Sequence, residues 1–325
     1  MPELRIAFLV LAHDDAPQLE RLCRALQPHS VFVHVDGKNA DFPFDRITKL
    51  PGVTLVRPSI KVHWGDYSMV EATLALIEKA RETGVFERYV LLSGACYPVK
   101  PMTSLEAAFE MDPHREWINL TRIKRDSHLE HLIGRRWRLA PLVQMRSLDA
   151  RLRLMWNKIS KTMGRDLERE IKMTPYYGSQ WWALTDGCVA VIMDFVHSHA
   201  LFVKAYRSVY APDEHFFHTI VGNSSFAAFA NQVDDHGAAT NQFIPLHLLS
   251  TSKDRYWGPG DEGFAEIAAT PQYFIRKVSA NRCALLLDRI DGELLRSDSS
   301  VQLSASNEEP AKVDPRLVAD PEPKT

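Results

Sequence analysis

Arg5-Ile-Ala-Phe-Leu-Val-Leu-Ala-His13 is the stretch on which the fold turns. Ile6 to Leu11 is a continuous apolar run of strand length, the pattern of a strand buried on both faces, as in a parallel sheet. The run ends at Ala12-His13-Asp14-Asp15. A helix is expected next, with Pro17 near its start and Leu19, Leu22, Cys23 and Leu26 along one face. Val31-Phe-Val-His-Val-Asp36 reads as a second strand, broken by Gly37. A strand–helix–strand opening with polar residues at both strand ends is how α/β folds build ligand sites, and His13 and Asp36 stand at those ends. No G-x-G-x-x-G follows the first strand, which disfavours a nicotinamide-dinucleotide fold.

Outward from this opening the same alternation continues. Val53 to Val56 reads as a third strand, and His63-Trp64-Gly65-Asp66-Tyr67-Ser68 as a loop into a helix from about Met69 to Arg81, with Ser68 and Glu71 expected to form a capping box. Tyr89 to Ser93 is another buried strand. It ends in Gly94-Ala95-Cys96-Tyr97-Pro98, where small residues let a ligand approach the backbone. Glu116 to Leu120 is a further strand. Tyr176-Tyr-Gly-Ser-Gln-Trp-Trp-Ala-Leu-Thr185 carries a Gly-Ser turn and two adjacent tryptophans, which on a strand point to opposite faces: one can pack in the core while the other lines a cleft. A helix is expected from Asp186 to His199. Near the end, Lys253-Asp-Arg-Tyr-Trp-Gly-Pro-Gly260 reads as a loop, and Arg276 and Lys277 sit between apolar neighbours as a fixed cationic site.

A chain of 325 residues, 45% of them hydrophobic, is long and apolar enough to bury a full core. A formal net charge of -2 argues against a dedicated nucleic-acid binder. Cys23, Cys96, Cys188 and Cys283 are scattered, with neither a zinc-knuckle spacing nor a disulfide framework, and read as reduced thiols. The apolar start is too short for a membrane span and lacks a cleavage region, so neither secretion nor a transmembrane anchor is expected. Residues 122–165 are basic, with Trp137, Trp156 and several leucines interleaved; they read as a helical excursion, either a solvated face or a surface for anionic lipid headgroups. Residues 297–325, rich in Ser, Glu, Pro and Asp, are expected to be disordered.

Ala211-Pro-Asp-Glu-His-Phe-Phe-His-Thr-Ile220 puts Glu214 between a proline and an aromatic run. Pro212, Asp213 and Glu214 suit the first turn of a helix, and nothing more is required to explain them. Held on a rigid element against an apolar wall, however, Glu214 has the setting of a positioned general base.

Taken together, Arg5 to His13, His34-Val-Asp36, Val62-His-Trp-Gly-Asp-Tyr-Ser68, Leu91 to Pro98, Gly178-Ser-Gln-Trp-Trp182, Pro212 to Ile220 and Tyr273-Phe-Ile-Arg-Lys277 resemble, in order and spacing, the core-2/I-branching β-1,6-N-acetylglucosaminyltransferase and peptide O-xylosyltransferase family. The resemblance implies a GT-A type α/β/α sandwich with a mostly parallel central sheet, one glycosyltransferase domain over residues 1–290. It implies an inverting, metal-independent transfer from a UDP-sugar, GlcNAc or xylose, to a hydroxyl of a glycan or lipid-linked saccharide. Glu214 matches the family's catalytic base and Lys277 its diphosphate-binding lysine; Arg255 is expected as the second cation, with Arg276 the substitute. No metal and no other cofactor is expected, since D-x-D is missing and fixed cations can hold the leaving diphosphate. By the same resemblance, His13, Asp36, Trp64, Ser68, Ser93, Gly94, Cys96 and Tyr97 would line the donor pocket, while Gly178, Ser179, Trp181, Trp182 and Asp213 would face the acceptor.

Two departures stand out. Many family members carry an aspartate where this chain has Cys96, which leaves the donor sugar open. The eukaryotic members are anchored Golgi proteins with lumenal disulfides, whereas this chain looks like a bacterial cytoplasmic homologue acting in surface-polysaccharide assembly, with peripheral contact of its basic segment to the anionic inner membrane. The competing expectations are a non-catalytic nucleotide-sugar or glycan binding protein on the same fold, and a nucleic-acid binder using residues 122–165.

Overall fold

The computed structural model describes residues 4–124, 127, 129–137, 155, 158–159, 164–233, 244–258 and 263–296. The opening apolar run forms strand β1 (Ile6–Ala12), hydrogen-bonded in parallel to β2 (Ser30–Val35) on one side and β4 (Arg88–Ser93) on the other. Being central, β1 is covered on both faces. That is why its sequence does not alternate. β3 (Val53–Leu55) extends the sheet beyond β2, and β8 (Ala183–Thr185), β6 (Glu116–Arg122) and β7 (Tyr176–Tyr177) follow β4, giving the order β3-β2-β1-β4-β8-β6-β7 with β9 (Ala230–Gln232) paired to β6. Only β7 and β8 among these run against the rest. A smaller sheet joins β10 (His247–Leu249), β11 (Phe274–Arg276) and β5 (Cys96–Pro98).

Each face of the main sheet has its own core. On one, Phe8, Val10, Val33 and Leu92 pack against Leu19, Leu22 and Cys23 of the helix Ala16–Ala25 and Leu286, Leu287 and Ile290 of Ala284–Glu293. On the other, Ala7, Leu9, Phe32 and Leu91 meet Val70, Leu76 and Ile77 of Ser68–Thr83, Ile192 of Asp186–Ser198, and Phe216 and Phe217 of Phe216–Gly222. Each large side chain so buried contributes about 1.5–3 kcal/mol. The result is the expected α/β/α sandwich of GT-A type, with a mostly parallel central sheet.

Two local expectations are corrected. The capping box at Ser68 does not form: Asp66 Oδ1 accepts the Ser68 N–H at 3.0 Å, while Glu71 is drawn outward to Arg207 at 2.9 Å. The helix therefore starts at Ser68 itself and reaches Thr83. Pro212–Glu214 is not the first turn of a continuous α-helix but a separate 3-10 turn, with helix resuming at Phe216. Of the basic excursion, residues 125–126, 128, 138–154, 156–157 and 160–163 lie outside the described residues, as does the tail 297–325. Where that segment is described, Arg136 and Arg165 are not free cations, since each lies 2.9 Å from Glu170. All four cysteines are buried and unbonded. No single helix among the described residues is long and apolar enough to cross a membrane.

Candidate active site

A cleft of about 600 Å³ opens beside β6 and β7, and its walls carry most of the residues singled out from the sequence. One wall is the Pro212–Glu214 turn. Ala211 enters it with a positive φ of 47°, and its N–H donates to the Gly65 carbonyl at 2.9 Å. The Glu214 N–H closes back on the Ala211 carbonyl at 3.0 Å. On the other side the Gly178 N–H donates to the Glu214 carbonyl at 2.9 Å, so the main chain of this glutamate is tied to two neighbouring segments. Behind the turn, His215 and His218 are fully buried. Desolvation pushes both imidazoles down to about 3, so they are neutral, and His218 Nε2 donates to the Ser179 carbonyl at 3.0 Å.

This setting holds the two carboxyl groups as acids. Burial, reinforced by the adjacent Asp213 charge, pushes Glu214 up to about 8 despite a hydrogen bond from the Tyr177 hydroxyl. Burial alone lifts Asp213 to about 7. Glu214 thus gives up its proton near neutrality and takes one back readily, as a general base must.

The second wall is cationic. β11 ends at Arg276 and continues into Lys277, whose N–H donates to the Arg255 carbonyl at 3.1 Å, while the Trp257 N–H donates to the Lys277 carbonyl at 3.0 Å. Arg255, at a positive φ of 65°, is thereby folded against Lys277. Arg255, Arg276 and Lys277 all line the cleft, and none makes an ion pair among the described residues. Partial burial and the two neighbouring guanidinium groups hold the Lys277 ammonium below its usual range. Such a wall has the charge to receive an anion.

The structure separates the remaining candidates. Trp64, Gly178, Ser179 and Trp181 line the cleft with Glu214 and Asp213; Trp182 does not, being fully buried against Phe217 at 5.5 Å between ring centres. His13, Ser93 and Gly94 line a second cleft of about 550 Å³, parted from the first by the Arg255–Tyr256 and Lys277–Val278 strips, each of which turns one residue to either side. Four expected donor contacts are absent from both clefts. Asp36 Oδ1 accepts the N–H groups of Lys38 at 3.0 Å and Val62 at 3.1 Å and so pins a loop. Ser68 Oγ is occupied by the His63 N–H at 2.9 Å. Cys96 is buried behind Arg276, its Sγ 3.4 Å from His247 Nε2. Tyr97 points the other way, to Asp291 Oδ1 at 2.6 Å, because alternate residues of β5 face opposite sides.

The sequence reading passed over Tyr177, Asn119, Thr121, Gln180 and Ser250, which complete the cleft. Tyr177 carried a signal: it directly precedes Gly178-Ser179, whose backbone grips the Glu214 turn. Gln180 carried one too, standing between Ser179 and Trp181; Asn119 and Thr121 come from β6 and Ser250 from a loop, whose proximity only the folded chain reveals.

With this geometry in hand, known proteins can be compared. Xylosyltransferase oxt of Drosophila melanogaster is 24% identical over 249 residues, 73% of this chain and 26% of that protein. Human Xylosyltransferase 2 is 26% identical over 255 residues, 74% of this chain and 27% of its own length, so the match spans about a quarter of these relatives. Among solved structures, S. aureus TarS residues 1–349, in complex with UDP-GlcNAc, is 12% identical with a TM-score of 0.27, covering 44% of this chain and 39% of that one. A family model described as Core-2/I-Branching enzyme matches residues 6–236, well over half of the sequence. The chain belongs to the Core-2/I-branching enzyme family of glycosyltransferases.

Proposed function

We propose that this chain transfers a sugar, GlcNAc or xylose, from a UDP-sugar to a hydroxyl of a glycan or lipid-linked saccharide, with inversion at the anomeric carbon. The observation that carries the reading is the presence, in one cleft, of a buried carboxyl poised near neutrality and a wall of cations without counter-ions among the described residues. Glu214, ionised, takes the proton of the acceptor hydroxyl as its oxygen attacks the anomeric carbon. The bond to the diphosphate breaks on the opposite face and UDP departs with the electron pair. Lys277 and Arg255 hold the charge that develops there, the part a metal plays in other transferases. Trp181 offers an aromatic wall to a sugar ring. A lipid-linked acceptor would bring the chain to the cytoplasmic face of the membrane.

UDP release from a panel of UDP-sugars, with and without EDTA, tests this in wild type and Glu214→Gln. Slow release to water from one preferred donor, resistant to EDTA and lost in the variant, is the expected result. Release abolished by EDTA would overturn metal independence; UDP binding without release from any donor would leave a non-catalytic binding protein.

A further inference from the structure

Trp64 lines the cleft that holds Glu214 and is 73% exposed. A single exposed aromatic needs no explanation, but this one begins a row. Its ring meets Tyr210 edge to face at 5.7 Å between centres, and Tyr210 in turn meets Trp137 at 4.9 Å, tilted by 38°. The Arg135 guanidinium closes the row, 3.4 Å over the Trp137 ring. Main-chain bonds hold these segments together. The Ala211 N–H donates to the Gly65 carbonyl at 2.9 Å, and the Trp137 N–H to the Ser208 carbonyl at 2.8 Å. The near end of the row is at the proposed base: the charges of Glu214 and Asp213 add to burial in holding the Tyr210 hydroxyl above its usual range. The far end opens on a hollow of about 590 Å³, which Trp137 lines with Leu201, Lys204, Ser208 and the Arg136–Glu170 pair.

The row thus links two recesses through ring contacts alone. A pyranose has a face of C–H groups that packs on an aromatic ring while its hydroxyls turn to polar neighbours. Rings that follow one another at about the length of one sugar suit a chain of sugars rather than a single one. The hollow offers the same combination, apolar Leu201 and Trp137 beside Lys204 and Ser208. An acyl or prenyl chain would leave those polar groups without partners. We propose that the row is a track for an oligosaccharide acceptor: with the reacting sugar at Glu214, the next unit lies on Trp64, and those beyond it pass Tyr210 and Trp137 toward Lys204 and Ser208. This rests on the reading of the cleft given above and extends it. The acceptor is a chain of several sugars, chosen by its length as well as by the sugar at its end.

The test measures Kd, with UDP present, for cello-, malto-, xylo- and chito-oligosaccharides from the monosaccharide to the pentasaccharide, on wild type, Trp64→Ala, Trp137→Ala and Trp137→Phe. In at least one series the affinity of wild type should rise by about three- to tenfold per added unit until the track is filled. Trp64→Ala should remove that gain from the second unit onward. Trp137→Ala should remove only the gain from the later units, with UDP and the monosaccharide bound as before, and Trp137→Phe, which keeps a ring, should restore most of it. Affinity independent of length in every series overturns the inference, as does a length dependence that both alanine variants retain. Equal weakening of UDP and of every saccharide in Trp137→Ala also overturns it, making the row a structural prop. UDP release from a UDP-sugar, followed in the same samples, keeps the two readings apart. Release without length dependence leaves the transferase and removes the track. Length-dependent binding that is lost in Trp137→Ala, without release from any donor, sustains the track and refutes the catalytic reading of the cleft.

Discussion

Gly178 and Glu214 are joined through the backbone, the N–H of one donating to the carbonyl of the other at 2.9 Å. The approach is possible only without a side chain. A Cβ on Gly178 would lie 2.2 Å from the Asn119 carbonyl oxygen and 2.4 Å from the His218 ring. Gly178→Ala should therefore cost about 1–3 kcal/mol by overpacking and displace the turn that carries the proposed base. The expected outcome is a melting temperature lower by several degrees together with UDP release slowed by at least about tenfold, since an ångström of misplacement is enough. Unchanged calorimetry and kinetics would refute the coupling.

The acidity of Glu214 sets a pH dependence. With its carboxyl pushed up to about 8, the ionised base is a minority below that pH. kcat/KM should rise with pH, close to tenfold per unit, and level off near pH 8. The Tyr177 hydroxyl bonds to the carboxylate and lowers its pKa, so Tyr177→Phe should move the rising limb to higher pH. A profile that is flat from pH 6 to 9, or one unmoved in Tyr177→Phe, would contradict this assignment.

The same shift appears in stability. Both Asp213 and Glu214 bind their protons more tightly in the folded chain than in the unfolded one. Their contribution is fully present below about pH 4 and is lost as pH rises through about 7 to 8. Glu214→Gln, which cannot ionise, should match wild type near pH 4 and melt higher than wild type at pH 9, by at least about 2 °C. Scanning calorimetry at the two values decides it. A gain that is equal at both would show that the carboxyl titrates alike folded and unfolded.

The cation wall predicts a binding defect rather than a loss of fold. Lys277 is half-buried, makes no ion pair among the described residues and lines the cleft. Removing it with Lys277→Ala should weaken UDP binding by about ten- to a hundredfold, the worth of a charge-assisted hydrogen bond, and lessen the sensitivity of binding to salt. Thermal stability should hold or rise, because Arg255 and Arg276 lose a like-charged neighbour. Equal affinity for UDP in the variant would remove Lys277 from the diphosphate site.

How far the sequence reads through to this arrangement depends on the kind of signal. β1 was legible because burial on both faces leaves an uninterrupted apolar run, and the helix Ala16–Ala25 because Pro17 opens it and Leu19, Leu22, Cys23 and Leu26 share a face; that Asp15 caps it, accepting the Gln18 N–H at 3.2 Å, only the structure shows. Glu214 was legible as a candidate because a carboxylate ahead of an aromatic run has the setting of a positioned base, and Lys277 and Arg255 through the family resemblance; the structure brings all three to one cleft. Asp36, Ser68 and Tyr97 stand outside both clefts for a common cause. Each is polar and lies at an element boundary, where a side chain serves equally well to fasten a neighbouring loop, and their partners at Val62, His63 and Asp291 are set by the tertiary fold. Ser68 yielded its capping role to Asp66 for the same reason.

Trp181 and Trp182 show both outcomes side by side. The sequence places one tryptophan in the core and one at a cleft without saying which. In the structure the Trp182 ring is fully buried and meets Phe217, whereas Trp181 lies under Arg276 on the cleft wall. The two truncations should therefore separate. Trp182→Ala empties a large space in the core and should cost about 3–5 kcal/mol, lowering the melting temperature at every ligand concentration. Trp181→Ala removes a wall of the ligand site; its effect should fall mainly on saccharide affinity, with UDP itself bound nearly as before because Lys277 and Arg255 remain. Denaturant titration of both variants, alongside binding of UDP and of the preferred UDP-sugar, distinguishes them. If Trp181→Ala weakens UDP and UDP-sugar equally, the ring supports Arg276 and the cation wall rather than the sugar.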